Sequence, residues 1–284
     1  MIDCHCHTRN SPDAPQDAGN TPFALCARAA ELGLRALAVT EHCEVNAFYG
    51  IEHYNAEPNG YDVYNQNEYF ERSMTENAAV KKSAEEKFPR LNFISGIELG
   101  QATSDFEIAG KIGSDPRLDF VIASLHRVRG KDDFAFIKYE NYDIPALLRE
   151  YYEEMAELCR WGNFDVLGHL TYTLRYIEGD KGIAVDMRAY DEIIAECMKI
   201  LAANGKGIEL NTSGLRQRYG KTFPTPDYLK LWKDLGGEVL SLGSDSHTPE
   251  SLGKGLDIGL ALAKEAGFRY LCYFKARKPN FIAI

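Results

Sequence analysis

No stretch of this 284-residue chain approaches the ~18–20 consecutive apolar residues of a membrane span. The first residues run straight into a polar strand, so neither a membrane protein nor a cleaved secretory leader is expected. Disulfide chemistry is missing too. Seven cysteines, an odd number without framework spacing, read as reduced thiols in a cytoplasmic protein. Positive charge is in deficit: 32 Lys and Arg against 42 Asp and Glu give a formal net charge of −10. That balance argues against nucleic acid or an anionic membrane as partner. A small phosphorylated ligand stays compatible, because metals or arginines can reverse the field inside a cleft. The chain lacks a G-x-G-x-x-G or G-K-[ST] phosphate loop. It also lacks internal repeats and low-complexity linkers, so one domain is expected over 1–284.

What is present is organised around Asp3-Cys4-His5-Cys6-His7. In an extended strand side chains alternate, so His5 and His7 share one face, about 7 Å apart, while Cys4 and Cys6 take the other. A Cys/His zinc knuckle fails on that geometry, and no C-x-x-C follows to complete one. The two imidazoles form a chelating pair in need of partners from elsewhere. Apolar runs at 34–39, 91–97, 120–125, 166–168, 207–210 and 239–243 read as further strands. Helical patterns at 21–32, 67–88, 145–161, 187–204, 226–235 and 249–266 separate most of them. Seven strands alternating with helices predict a parallel α/β array.

Every strand closes on polar, ligand-capable residues. Six of the seven histidines sit at these ends: His5, His7, His42, His126, His169 and His247. Asp13, Glu98 and Asp245 stand beside them. A doubly wound sheet gathers ligands at one switch point, whereas a (β/α) barrel builds its site from many strand ends, so the barrel is preferred. A lone strand-end histidine is ordinarily structural; six together are not. Imidazoles mixed with carboxylates suit Zn, Mn or Fe. Nine ligand-capable groups exceed one tetrahedral ion and fit two to three metals, the usual equipment for phosphate ester hydrolysis.

The series Asp3-x-His5-x-His7, Thr40-Glu41-His42, Gly96-Ile97-Glu98, Ser124-Leu125-His126, Gly168-His169 and Ser244-Asp245-Ser246-His247 resembles the successive motifs of the PHP (polymerase and histidinol phosphatase) superfamily. The stretch Glu209 to Arg216 and the length resemble its stand-alone histidinol-phosphatase branch. The resemblance implies a distorted (β/α)7 TIM-like barrel with a trinuclear metal centre. His5, His7, Glu98 and Asp245 would hold one metal, a bridging Glu98 with His126 and His169 the second, and Asp13, His42 and His247 the third. Many relatives carry His at the position of Asp13; a carboxylate there is a harder ligand and favours Mn or Fe beside Zn.

The expected function is metal-dependent hydrolysis of L-histidinol phosphate, with Asp245 at the metals and Asp13 or His247, or a water they hold, protonating the leaving group. The rivals are another small phosphate ester, such as a nucleotide or sugar phosphate, and a non-catalytic metal-binding module. Of the loop arginines Arg127, Arg129, Arg175, Arg216 and Arg218, those expected to bind phosphate are Arg175 and Arg216. Glu41 faces away from His42 and is expected to support a ligand or a helix N-terminus rather than bind metal itself. Asp3 is expected to orient an imidazole. Cys6 and Cys43 read as small buried hydrophobes. The Tyr-rich loop at about 43–66, with Tyr49, Tyr54, Tyr61 and Tyr64, is lid-like, and His53 within it reads as a loop residue. The aromatic tail from 270 to 281 is expected to close the barrel or to form a homo-oligomer contact.

Overall fold

The computed structural model describes residues 1–49 and 65–284. The parallel strands are β1 (Ile2–Asp3), β2 (Ala36–Glu44), β3 (Asn92–Gly100), β4 (Phe120–Ser124), β5 (Val166–Leu167), β6 (Gly207–Asn211) and β7 (Leu240–Gly243). They pair in chain order, each parallel to the next. Residues 4–7 continue β1 and close the ring against β7. The Cys4 N–H donates to the Leu242 carbonyl, the Asp245 N–H to His5 and the His7 N–H to Ser246, at 2.7–2.8 Å. The strands are apolar and buried, as expected where helices cover the outside of a parallel barrel.

Among the described residues seven α-helices wrap it: α1 (Pro22–Glu31), α2 (Gln66–Lys87), α3 (Phe106–Gly113), α4 (Ile144–Trp161), α5 (Asp191–Ala203), α6 (Pro226–Asp234) and α7 (Leu256–Glu265). Thr21 caps α1, its hydroxyl accepting from the Ala24 N–H, and Pro22 occupies the first turn, where a missing N–H costs nothing. The sequence reading missed α3. It spans only eight residues and contains Gly110 and Gly113, poor helix formers. Asp105 secures it by accepting from the N–H groups of Glu107 and Ile108 at 2.9 and 3.0 Å, and Ile108, Ala109 and Ile112 bury its inner face. Helix α7 starts later than the expected 249, because Gly253 and Gly255 take φ of 77° and 81° and turn the chain first.

Two strands run longer than expected. β2 continues to Glu44 and β3 to Gly100, so His42 and Glu98 lie within the ladder, directly opposite each other. The tail folds into an antiparallel hairpin, β8 (Tyr270–Lys275) and β9 (Lys278–Ala283). Its two-residue turn, Ala276-Arg277, has both φ positive, the primed geometry that suits hairpin twist. Contacts to the start of the strands hold this turn. Ala276 and Arg277 N–H groups donate to Asp119, and the Arg277 guanidinium reaches Asp165 at 2.6 Å and the Gly113 carbonyl. Phe274 stacks on Phe120 at 5.0 Å. The hairpin covers the N-terminal mouth, leaving the C-terminal mouth for chemistry.

Candidate metal centre

His5 and His7 emerge side by side from the extended β1, ring centroids 5.0 Å apart. A carboxylate fixes the first ring: His5 Nδ1 lies 2.7 Å from Glu209 Oε1, which turns Nε2 inward. The second is fixed through a hydroxyl. Ser11 donates its one O–H to Glu41 at 2.7 Å, so His7 Nδ1–H must donate to Ser11 Oγ at 3.1 Å, leaving the Nε2 lone pair facing the centre. The same Ser11 oxygen accepts the His42 N–H at 3.0 Å. His126 Nδ1 meets Glu44 Oε1 at 2.9 Å, and its Nε2 faces Glu98 Oε1 at 3.2 Å.

Glu98 is the hub. One oxygen approaches His126 and, at 2.7 Å, His169 Nε2; the other lies 3.0–3.6 Å from His42 Nδ1, His5 Nε2 and His7 Nε2. Asp245 Oδ1 sits 3.4 Å from His7 Nε2 and 3.8 Å from His5 Nε2. Asp13 Oδ2 lies between His247 Nε2, at 2.9 Å, and His42 Nε2, at 3.3 Å. All nine ligand candidates therefore meet in one cluster at the C-terminal mouth.

Metal is the partner this cluster fits. His5 Nε2, His7 Nε2, His42 Nδ1, His169 Nδ1 and Asp13 Oδ1 are buried without a hydrogen-bond partner, a costly state for polar atoms unless a cation completes them. Three triples bring their ligand atoms within 4.8 Å of one another: His5, His7 and Asp245; His7, His42 and His247; His42, Glu98 and His126. They share members, so the candidate centre is continuous.

Without cations, charge is shared among the ligands. Burial alone would raise the carboxyls of Glu98, Asp13 and Asp245, but the surrounding imidazoles outweigh it and hold all three well below the usual range. Burial likewise opposes protonation of His5, His42, His126 and His247, and the facing carboxylates reverse it, lifting His126 to about 10. His7 goes the other way, to about 3, because burial is joined by the imidazoles of His247, His42 and His5. His5 and His42, raised well above the ordinary imidazole range, and His126, at about 10, are protonated in the metal-free chain and must lose those protons to bind a cation. Metal uptake at pH 7 should therefore release more than one proton per chain and tighten as pH rises. Calorimetry in buffers of different ionisation heat measures this; release of no proton would contradict the charge arrangement.

Beside the cluster lies a cavity of about 480 Å³. Arg127, Asp133, Phe136, Tyr172, Arg175 and Tyr176 line it together with Gln66, whose fully buried amide has no hydrogen-bond partner among the described residues. Arg175 stands at the wall with its guanidinium 5.1 Å over the Tyr176 ring. Arg216, the other arginine expected to bind phosphate, is not among the residues lining this cavity; it donates to the carbonyls of Ser244, Asp245 and Lys254 at 2.8–3.4 Å, bracing the loop that carries Asp245. Asp3 is corrected. Its carboxylate accepts from the Ser244 N–H and Oγ and the Gly253 N–H, with no imidazole among its hydrogen-bond partners. Glu41 binds Thr8 and Ser11 behind His7. Cys6 and Cys43 are fully buried. Of the Tyr-rich loop, Tyr49 is exposed and is not among the residues lining the cavity; His53, Tyr54, Tyr61 and Tyr64 lie outside the described residues.

The sequence reading missed three supports of the cluster and its cavity. Glu44 shares the face of His42 two residues on, the same rule that paired His5 with His7. Glu209 lies on β6, inside a stretch already singled out. Asp133 sits in a loop and carried no signal.

Comparisons with known proteins agree with this geometry. The PHP domain profile matches residues 3–213. The histidinol-phosphatase of Lactococcus lactis subsp. lactis is 28% identical over 284 residues, covering 98% of this chain and 95% of that protein. A Thermotoga maritima protein named "Probable histidinol-phosphatase" is 27% identical over 273 residues, 95% of this chain and 94% of its own length. Among solved structures, the L. lactis histidinol phosphate phosphatase complexed with zinc, L-histidinol and phosphate superposes with a TM-score of 0.76 at 26% identity, covering 98% of both chains.

Proposed function

The chain belongs to the PHP domain family, and on that premise we propose that it is a metal-dependent phosphatase converting L-histidinol phosphate to L-histidinol and phosphate in histidine biosynthesis. The observation that carries this reading is the convergence of His5, His7, Asp13, His42, Glu98, His126, His169, Asp245 and His247 at one barrel mouth beside a cavity lined by arginines. These residues would hold two to three divalent ions (Zn, Mn or Fe), with Glu98 shared between sites. Bound divalent ions supply a nucleophile from water near neutral pH and neutralise charge on the phosphoryl oxygens.

The protein's own groups do the rest. Glu209, Ser11 and Glu44 set the tautomers of His5, His7 and His126, so the ligand nitrogens point inward before any cation arrives. Arg175 offers a planar fork to the phosphate, with Arg127 on the same wall. Tyr172 and Tyr176, joined through their hydroxyls at 3.1 Å, narrow the cavity beside His126 and His169 and displace water. Asp13 and His247 stand at the cavity edge, part-exposed, where either or a water between them can protonate the departing alkoxide. The reading includes a single domain and a cytoplasmic setting, supported by seven free cysteines. Among the described residues no helix is long and apolar enough to cross a membrane. Nucleic acid is not a partner in this reading, given the net charge of −10, and homo-oligomerisation is compatible with the exposed Tyr270 and Phe281 rings.

The test is phosphate release from L-histidinol phosphate beside a generic aryl phosphate, after chelation and resupply of Mn, Zn or Fe. We expect kcat/KM of ~10⁴ M⁻¹s⁻¹ or more on histidinol phosphate, well above the aryl ester. Equal, slow rates on both would keep the phosphatase and discard the substrate. Stoichiometric metal with no turnover would leave a metal-binding module.

A further inference from the structure

Resting on the phosphatase reading, we infer that Asp133 is the specificity residue of this cavity, a fixed anion that pairs with the ammonium group of a 2-aminoalkyl phosphate. The argument starts from charge. A cavity meant for a phosphate dianion is expected to show cations, and Arg127 and Arg175 provide them. A carboxylate on the same wall, outside the metal-ligand set, opposes phosphate unless the ligand carries a positive charge of its own.

Glu44, the other such carboxylate, already faces His126 at 2.9 Å. Asp133 has no such partner: one oxygen accepts the Ala135 N–H at 2.7 Å, and among the described residues no Lys, Arg or His lies within ion-pair distance of it. Burial also pushes its carboxyl up from the ordinary range, and the charges of His126 and Arg127 offset that only in part.

Position is fixed as firmly as charge. The Asp133 carbonyl accepts from the Phe136 and Ile137 N–H groups at 2.8 and 3.0 Å, and the Phe134 N–H donates to the carbonyl of the ligand His126 at 3.1 Å. Phe134 itself is buried against Tyr151. The carboxylate is thus held on a rigid turn anchored to the metal cluster, so little ordering is needed when a ligand arrives. L-Histidinol phosphate carries its ammonium on the carbon next to the CH2–O–P group. A phosphate at the cluster would leave that ammonium in the adjoining cavity. Sugar and nucleotide phosphates bring no such cation.

Paired substrates test this: L-histidinol phosphate against 3-(imidazol-4-yl)propyl phosphate, which lacks only the amine, and 2-aminoethyl phosphate against ethyl phosphate. In the wild type the aminated member of each pair should be preferred in kcat/KM by ~10–100-fold. In Asp133→Asn that ratio should collapse towards one, mainly through KM, and Asp133→Glu should recover part of it. Inhibition by inorganic phosphate reports whether the variant is folded and metallated, and it should strengthen once the opposing charge is gone. A wild type indifferent to the amine, or a variant that keeps the full ratio, overturns the inference. A wild type that prefers aminoethyl phosphate yet hydrolyses neither imidazole ester would instead overturn the histidinol phosphate reading and leave the role of Asp133 standing.

Discussion

Asp245→Asn should lose metal and turnover together, with kcat falling by ~10³-fold or more at saturating substrate. The substitution is chosen for its backbone. Asp245 sits at φ 52°, in the left-handed region that Asp and Asn tolerate far better than other side chains. Asn keeps the shape and the turn, so the His5 carbonyl can still accept the residue 245 N–H. What disappears is the negative charge that faces His5 and His7. Metal content by elemental analysis, kcat and thermal melting separate the possibilities. The expected result is a folded chain with a depleted centre; a fully active, fully metallated Asp245→Asn would remove Asp245 from the ligand set.

The candidate ligands were legible because strand-end placement and period-two alternation act over a few residues. His5 with His7 and Asp245 with His247 could be paired from spacing alone. The same rule reaches one step further than it was applied: His42 and Glu44 also stand two apart on one strand, and Glu44 grips His126. Its visibility depended on extending β2 past His42, where the Tyr-rich loop at about 43–66 was expected to begin, because the mouth of a barrel is polar while still in the ladder. Arg216 has a second use that spacing does not reveal. A basic residue beside a ligand loop suggested phosphate, yet carbonyls left exposed by the tight turn at Asp245 need donors as much as a substrate does. Asp133 lies in a segment without periodicity and is placed by a turn, whereas α3, eight residues with two glycines, is too short for its Ile108, Ala109 and Ile112 face and its Asp105 cap to stand out.

A second layer behind the histidines follows from the same logic. The inward-facing nitrogens of His5, His7 and His126 are set by a group that holds the other nitrogen of each ring, and burial of Glu209 and Glu41 is tolerable because each accepts several hydrogen bonds. Glu209 takes His5 Nδ1, the His169 N–H at 2.9 Å and Asn211 Nδ2 at 3.2 Å. It ties β1, β5 and β6 into one rigid frame. Such a frame leaves no slack where the strands pass closest.

Gly243→Ala should expose that rigidity. A Cβ at Gly243 would lie 2.4 Å from Glu209 Oε1 and 2.5 Å from His5 Cβ, separations that real Cβ atoms do not adopt. Neither neighbour can retreat cheaply: His5 is pinned by backbone bonds on β1, and Glu209 is clamped by its three donors. One methyl group should therefore cost about 1–3 kcal/mol of stability. It should also shift His5 enough to lower kcat by ~10²-fold with the metals resupplied, since small misplacements of positioning groups carry losses of that size. Gly33→Ala is the matching control. Gly33 has φ 68° and open space around its missing Cβ, so the variant should lose only the ~1–2 kcal/mol of left-handed strain and keep its kcat. Both are read well below their melting temperatures. A Gly243→Ala enzyme with wild-type kcat would mean that His5 can move without consequence, and that the link from Glu209 to His5 only stabilises the fold.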